Sequence, residues 1–355
     1  MLYWYVIMRF YYIQTKHNYA PDKRLIDGLR QNGHNVTAVS ETNIGIKKYF
    51  SLARQFVANR EPCDAIIIGY TLPHFIPLIR LLTTKKIVFN AVASQYEANV
   101  ISRNTYGSHP LMTFKWWIVD FISFHLSSKI LLESTAQTDF VHNLFGVPRR
   151  KLMRSWVSVD EDIFFRDSSI KKYSEFTVLF RGRFLPESGI DTIIKAAKIL
   201  EDRGVNFLIV GHGFLYKTVN KLMEDLHPQN ITKIEEFVPY DELREKMLAC
   251  HLSLGQLANH PRLTRTLPFK LYESLALGLP YLTGKSAGVL ELVKDGETCI
   301  TVEPENPTEL AEKILFLKNN PDILTKIGEQ GYALYQKQLT SKKLAEEFIT
   351  SCFPV

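Results

Sequence analysis

Short apolar runs alternate with amphipathic ones along the chain, and this rhythm predicts strands and helices in turn. Arg9 to Gln14 reads as a strand, Asp22 to Gln31 as a helix stopped by Gly33, and Asn35 to Ser40 as a second strand. Lys47 to Ala58 is helical, Ala65 to Gly69 is a buried β-rich run, Phe75 to Leu82 is helical and Lys86 to Ala91 is strand-like. Lys129 to Glu133 is another strand, followed by a helix from Ala136 to Leu144 and a basic turn from Pro148 to Lys151. From Asp160 to Ser174 charged and polar residues dominate and the periodicity lapses, which predicts a junction. Beyond it the rhythm restarts with a strand at Phe176 to Phe180, a loop from Arg181 to Ser188, and a helix from Gly189 to Leu200. Asn206 to Val210 is a strand and Gly211-His-Gly213 a tight loop entering a helix; Asp241 to Ala249 is helical, and His251 to Leu254 and Tyr281 to Thr283 are strands. From Pro307 onward the chain is helical, ending in a segment, Ser341 to Phe353, long enough to fold back on the first half.

Such βα alternation predicts two Rossmann-like halves, each a parallel sheet covered on both faces, with ligands at the carboxyl ends of strands. In the first half those ends carry Gly69, Tyr70 and His74, then Asn90, Ser94, Tyr96 and Glu97. For His74 an ordinary hydrogen-bonded histidine is the simpler reading. The expected division is residues 1–168, 169–335 and a returning helix at 336–355. A length of 355 residues fits two ordinary domains.

Two segments need separate treatment. Phe114, Trp117, Ile118, Phe121, Ile122 and Leu126 form one helical stripe, enlarged by Trp116, Val119 and Phe124. Core packing explains it most simply, and contact with a membrane surface is the alternative. The run from Met1 to Tyr12 is apolar and aromatic but lacks a basic lead and a small-residue cleavage site, so it reads as a first strand, with Met8 as the alternative true start.

The stretch Pro268-Phe-Lys270-Leu-Tyr-Glu273-Ser-Leu-Ala-Leu-Gly278-Leu-Pro280 is the most informative. Proline at one end and Gly278 with Pro280 at the other mark a short buried helix. Its N-terminus offers unpaired N–H groups and partial positive charge, and Lys270 adds a full one. Glu273 on an apolar helix costs free energy unless a polar partner meets it. The loop Arg181-Gly182-Arg183 carries two guanidinium groups at a strand end, a chemistry matched to phosphate oxygens.

Composition narrows the rest. The chain is 46% hydrophobic and 23% charged, which excludes a disordered protein. Up to Ser168 there are 20 Lys and Arg against 13 Asp and Glu, a balance of +7, whereas the remainder carries 23 against 24, or −1. The basic half is either a solvated surface or an attraction to an anionic partner such as lipid headgroups or a lipid-linked phosphate. Nucleic acid is not expected, because no recognition motif accompanies the charge. Cys63, Cys250, Cys299 and Cys352 lack metal-ligand spacing and read as reduced, mostly buried thiols of a cytoplasmic protein. No uncharged apolar run approaches the length of a membrane span.

The order Gly182-Arg183 with Gly189, Val210-Gly211-His212-Gly213, Lys270 to Pro280, Gly288 to Glu291 and Asp295-Gly296 resembles the nucleotide-sugar-binding domain of glycosyltransferase family 4. The likeness covers nearly all of the second half. The first half matches more loosely, through Val157-Ser-Val-Asp160, which resembles the family's Asn-Gly-Val-Asp segment. The resemblance implies an α/β GT-B fold, two Rossmann-like domains with parallel sheets facing across a cleft and a C-terminal helix returning to the first domain. It also implies retaining, metal-independent transfer from a nucleotide sugar, with no cofactor. Arg183 would bind the donor diphosphate, Glu273 would accept hydrogen bonds from the ribose hydroxyls, and Lys270 would join Arg183 in stabilising the leaving group. Gly182, Ser188, Gly211, His212, Arg262, Arg265 and Gly288 complete the expected donor side; His74, Asn90, Tyr96, Glu97 and Arg103 are the acceptor-side candidates.

Two positions depart from the family pattern. Ser188 stands where a lysine is usual, and Arg265 stands eight positions before Glu273 where a glutamate is usual. The pattern Pro-x-Lys-x-x-Glu, matched by Pro268, Lys270 and Glu273, marks a subset of such enzymes, so the departures read as variation within the family, with Lys270, Arg262 or Arg265 supplying the missing charge. The implied partners are a nucleotide-sugar donor and a glycan or lipid-linked acceptor; peripheral contact with the anionic cytoplasmic face of a membrane is expected from the basic first half and the Trp116-Trp117 segment. A non-catalytic GT-B scaffold subunit and a nucleotide-sugar epimerase of the same fold are the competing readings.

Overall fold

The computed structural model describes residues 7–15, 20–41, 43, 45–59, 62–102 and 109–354. The aliphatic runs that lack polar alternation become the central strands, as expected where helices cover both faces of a sheet. The first sheet contains β1 (Arg9–Thr15), β2 (Asn35–Glu41), β3 (Ala65–Ile68), β4 (Lys86–Val92), β5 (Lys129–Leu132) and β6 (Leu152–Arg154). The second contains β7 (Phe176–Arg181), β8 (Val205–Val210), β9 (Ile231–Ile234), β10 (Leu252–Leu254), β11 (Tyr281–Gly284) and β12 (Ile300–Val302). Their orders are β2-β1-β3-β4-β5-β6 and β12-β11-β10-β7-β8-β9, and all the pairings are parallel. Each sheet therefore has one place where its connectivity changes direction, between β1 and β3 in the first and between β7 and β10 in the second. Ligands of such sheets collect outside the strand ends at these places.

The chain divides into two compact units, residues 159–338 and residues 1–158 together with 339–355. In the first unit α1 (Ala20–Gln31) and the last helix, α13 (Ser341–Cys352), cover one face, meeting Phe10, Tyr12, Ile67 and Val88. Helices α2 (Ile46–Asn59), α3 (Ile76–Leu82), α4 (Pro110–Leu126) and α5 (Thr135–Phe145) cover the other, around Ile13, Ile68, Phe89 and Phe124. α13 docks closely: Asn32 Nδ2 donates to the Lys342 carbonyl at 2.8 Å, and a Cβ on Gly28 would overlap the Ser341 carbonyl. The second unit carries α6 (Ile190–Ile199), α7 (Tyr216–Leu226), α8 (Tyr240–Ala249), α9 (Phe269–Leu277), α10 (Ala287–Leu290), α11 (Pro307–Asn319) and α12 (Pro321–Gln338).

The structure corrects several sequence expectations. β6, β9 and β12 are absent from the periodicity reading because they are three- or four-residue strands with polar members, such as Lys233 in Ile231–Ile234. Arg181 is the last residue of β7 rather than the first of a loop, since its backbone pairs with Val210. On α4 the most buried side chains are Phe124, of the enlarged stripe, and two polar residues outside it, Asp120 and Ser123. Trp117 and Phe121 pack against the core from the flank, while Phe114 and Ile122 of that stripe are exposed. All four cysteines are free and buried.

Candidate functional site

Pro268 to Pro280 folds as one short helix with the expected punctuation. Pro268 occupies the N-cap of α9, and Gly278 ends the helix in the left-handed region at φ 65°, its N–H bonded to carbonyls of the last turn. Lys270 and Glu273 are each only 5% exposed, so two ionisable groups are enclosed one turn apart. What offsets the cost of that burial arrives from neighbouring strands. Arg181 at the end of β7 places Nη1 3.1 Å from Glu273 Oε2. Lys270 Nζ donates to Gln256 Oε1, just after β10, at 3.3 Å, and lies 3.8 Å from the centroid of the Phe180 ring. The cluster thus occupies the β7–β10 reversal.

Electrostatics follow from this enclosure. Burial, aided by the Arg181 guanidinium, pulls the Lys270 ammonium down to about 7, with Glu273 and Glu187 opposing. Burial pushes the Glu273 carboxyl up, opposed by Arg181 and Lys270. Near neutral pH a small change in local charge therefore decides whether Lys270 holds its proton. An incoming anion would secure it.

The two glycine loops lie side by side over the strand ends. Gly182 N–H donates to the Val210 carbonyl at 3.0 Å, and Phe184 N–H to the His212 carbonyl at 3.1 Å. A Cβ on Gly211 would overlap the Gly182 carbonyl, and one on Gly182 would come within 3.0 Å of Lys270 Nζ. Glycine is required here for close packing of backbone on backbone and backbone on ammonium.

The other sequence candidates separate clearly. Arg183 and His212 are exposed, the latter with its ring 4.5 Å from Tyr216. Ser188 is fully buried, and its hydroxyl donates to the Leu185 carbonyl at 2.6 Å. Arg262 pairs with buried Glu187 at 3.3 Å, whereas Arg265 donates to Thr264 Oγ1 at 3.2 Å. Gly288 on α10 packs against the Leu263 and Thr266 carbonyls, so it supports the loop bearing Arg262 and Arg265. Sequence reasoning singled out Arg183 and left Arg181 as one of a loop pair; the alternation Val178-Leu-Phe-Arg181, ending a strand with a charge, was the available signal.

In the first unit the β1–β3 reversal holds a buried acid that sequence reasoning missed. Asp22, in the first turn of α1, accepts at Oδ1 from the Tyr12 hydroxyl (2.8 Å), Asn90 Nδ2 (2.9 Å) and the Tyr70 N–H (3.4 Å). Burial raises its carboxyl to about 6 against these three donors. Asn90 thus faces inward. Beyond it β4 bulges, and Val92 adopts φ 57°, a left-handed conformation that is costly for a β-branched residue.

A second buried acid fixes the loop that follows. Asp120 on α4 accepts from the Ser94 hydroxyl at 2.7 Å and the Tyr96 N–H at 2.8 Å, and burial raises it to about 7. Glu97 is fully buried and bonded to Gln137 of α5. Tyr96 is half-buried, edge-on to Phe145, and His74 is exposed beside the rings of Tyr49 and Trp116. Desolvation of the ring beside Tyr49 and Trp116, with Lys115 and Lys48 adding repulsion, lowers the His74 imidazole. Arg103 lies outside the described residues. Among the described residues no group of three or more His, Cys, Asp or Glu is placed to hold a metal ion, and no helix is long and apolar enough to cross a membrane.

Comparison with known proteins converges on one fold. Residues 161–334, nearly the whole second unit, match the sequence model of the family described as glycosyl transferases group 1. An uncharacterized glycosyltransferase of Methanocaldococcus jannaschii is 30% identical over 161 residues, covering 45% of this chain and 43% of its own length. The N-acetyl-alpha-D-glucosaminyl L-malate synthase of Bacillus anthracis is 20% identical over 309 residues, 84% of this chain and 77% of its own. Among solved structures, Anabaena HepE in complex with UDP and glucose superposes with a TM-score of 0.71 at 14% identity, over 98% of this chain and 100% of that one. Sucrose-phosphate synthase from Thermosynechococcus elongatus gives 0.73 at 13% identity, over 96% and 97%. With its two parallel six-stranded sheets, the chain has the fold of the GT-B glycosyltransferases, and residues 161–334 of its second unit are similar to the glycosyl transferases group 1 family.

Proposed function

We propose that this chain is a retaining, metal-independent glycosyltransferase moving a sugar from a nucleotide-sugar donor to a hydroxyl acceptor. One observation carries the reading: Lys270 and Glu273 are enclosed one turn apart at the N-terminal end of α9, beside two tightly packed glycine loops, at the reversal point of the second sheet. A nucleoside diphosphate supplies complementary chemistry, oxyanions for the ammonium and helix N–H groups and ribose hydroxyls for the carboxylate. HepE, which shares the fold, was solved with UDP and glucose.

As the glycosidic bond breaks, negative charge grows on the departing diphosphate. Fixed cations and helix N–H groups favour that charge more in the transition state than in the ground state. Lys270 and the exposed Arg183 supply cationic charge, and Glu273 holds the ribose. In the retaining course the leaving phosphate takes the acceptor proton on the face it departs from, so no protein nucleophile is needed. The first unit would hold the acceptor, a glycan or a lipid-linked oligosaccharide of cell-surface assembly. Its exposed Phe50, Leu111 and Phe114 lie on helices that also carry Lys48 and Lys115, a composition suited to the anionic cytoplasmic face of a membrane.

The test is a melting-temperature panel of nucleoside diphosphates and nucleotide sugars, followed by product analysis with the sugar that stabilises most. Binding and transfer, both abolished in Glu273→Ala, are expected. Release of a free epimer without acceptor would replace the proposal with an epimerase. No binding of any nucleotide would leave a scaffold subunit.

A further inference from the structure

Resting on the donor-site reading above, we infer that Arg181 is a further phosphate-binding cation of this chain, beside Lys270 and Arg183, at a site where Ser188 offers no charge. Ser188 has no means of taking the role. Its hydroxyl is committed to the Leu185 carbonyl and its own carbonyl accepts from Leu257 N–H at 3.1 Å. Gly189 follows at φ 64°, and a Cβ there would meet the Leu257 backbone at 2.5 Å, so this corner is closed by backbone. Glu187 and Arg262 of the surrounding loops are engaged with each other.

Arg181 stands across the same site on a rigid element. Its backbone belongs to β7, hydrogen-bonded between β10 and β8, and its side chain is 23% exposed, open enough to meet a ligand. One guanidinium nitrogen engages Glu273 Oε2 at 3.1 Å. The contact is an ion pair with no aligned hydrogen bond, so the guanidinium's N–H donors remain for an oxyanion and the Glu273 carboxylate remains for the ribose. With Lys270 protonated, Arg181, Lys270 and Glu273 leave one surplus positive charge, which favours an incoming diphosphate. The strand end thus offers a cation that the loop at Ser188 lacks, and Glu273 aims it.

Calorimetric affinities for UDP, GDP and their 2′,3′-dideoxy forms, measured on wild type, Arg181→Gln and Arg181→Lys, test this. Arg181→Gln is expected to weaken the better-bound diphosphate at least about tenfold, the size of one charge-assisted hydrogen bond, and to weaken its dideoxy form equally. Arg181→Lys should recover most of the loss. An unchanged affinity in Arg181→Gln overturns the inference while leaving the donor site standing. A loss confined to the ribose-bearing ligand also overturns it, because Arg181 would then act only by orienting Glu273. Failure of wild type to bind either diphosphate overturns the donor-site reading itself, and this inference with it. Should Arg181→Gln not fold, the double variant with Glu273→Gln removes both charges, and its loss is read against Glu273→Gln alone, where a further tenfold is expected.

Discussion

The two sheet reversals use one topology with opposite electrostatics. At β7–β10 a buried lysine, a buried glutamate and a strand-end arginine enclose one another, so ionic groups answer ionic groups. At β1–β3 the buried Asp22 meets only a phenol, an amide and a backbone N–H, and neutral donors do not fully compensate a buried carboxylate. Burial of charge with partners keeps a site ready for a charged ligand. Burial with neutral donors instead raises the Asp22 carboxyl to about 6 with no counter-ion beside it and makes it a framing element.

The strongest way to break this contrast is Lys270→Ala, expected to lower transfer by about 10²–10³-fold, the loss seen when one donor to a developing charge is removed. Release of nucleoside diphosphate from the best nucleotide sugar measures it. A change under threefold would place the ionic cluster among structural groups.

Next, Asp22→Asn should change the pH dependence of stability rather than turnover. The folded-state carboxyl titrates at about 6 against a reference of 3.8, so between these values the folded state binds more protons than the unfolded one. Stability is full below that window, falls as pH rises through it and is flat above. The fall is on the order of 3 kcal/mol from this group. Chemical denaturation at pH 3.5 and 7 should show the variant gaining on wild type by that amount, and parallel curves would refute it.

A smaller effect separates the sites by pH in the other direction. Since Lys270 sits at about 7, diphosphate binding above neutrality requires proton uptake. Affinity should therefore weaken by up to about tenfold per pH unit above pH 7, and Lys270→Arg, always protonated, should abolish the slope. For stability the sign is reversed: between 7 and 10.5 the unfolded chain binds the extra proton, so this group's contribution rises with pH.

The smallest effect concerns the basic unit. Phe50→Ser with Phe114→Ser should reduce sedimentation with anionic vesicles several-fold at low salt, and added salt should weaken wild type likewise. Equal binding by the variant would remove the apolar face from the account.

Legibility in the sequence tracked how far each feature was local. α9 was readable because its punctuation, its apolar face and its two misplaced charges occupy thirteen consecutive residues. Arg181 was undervalued because its partner, Glu273, is remote in sequence and the family pattern pointed to Arg183. Asp22 reads locally as an acid suited to a helix N-terminus, and nothing nearby reveals that Tyr12 and Asn90 enclose it. On α4 the hydrophobic stripe found Phe124 but missed Asp120 and Ser123, which are buried by hydrogen bonding, to which periodicity is blind.

The placement of α13 has a consequence for how the molecule is made. Phe10, Leu25, Ile26 and Leu29 emerge early from the ribosome, yet the helix bearing Ala345, Phe348 and Cys352 that covers them is synthesised only after the whole second unit. Until then this surface lacks its cover, the kind of exposed apolar face that favours aggregation, so the first unit is completed last although most of its residues precede those of the second.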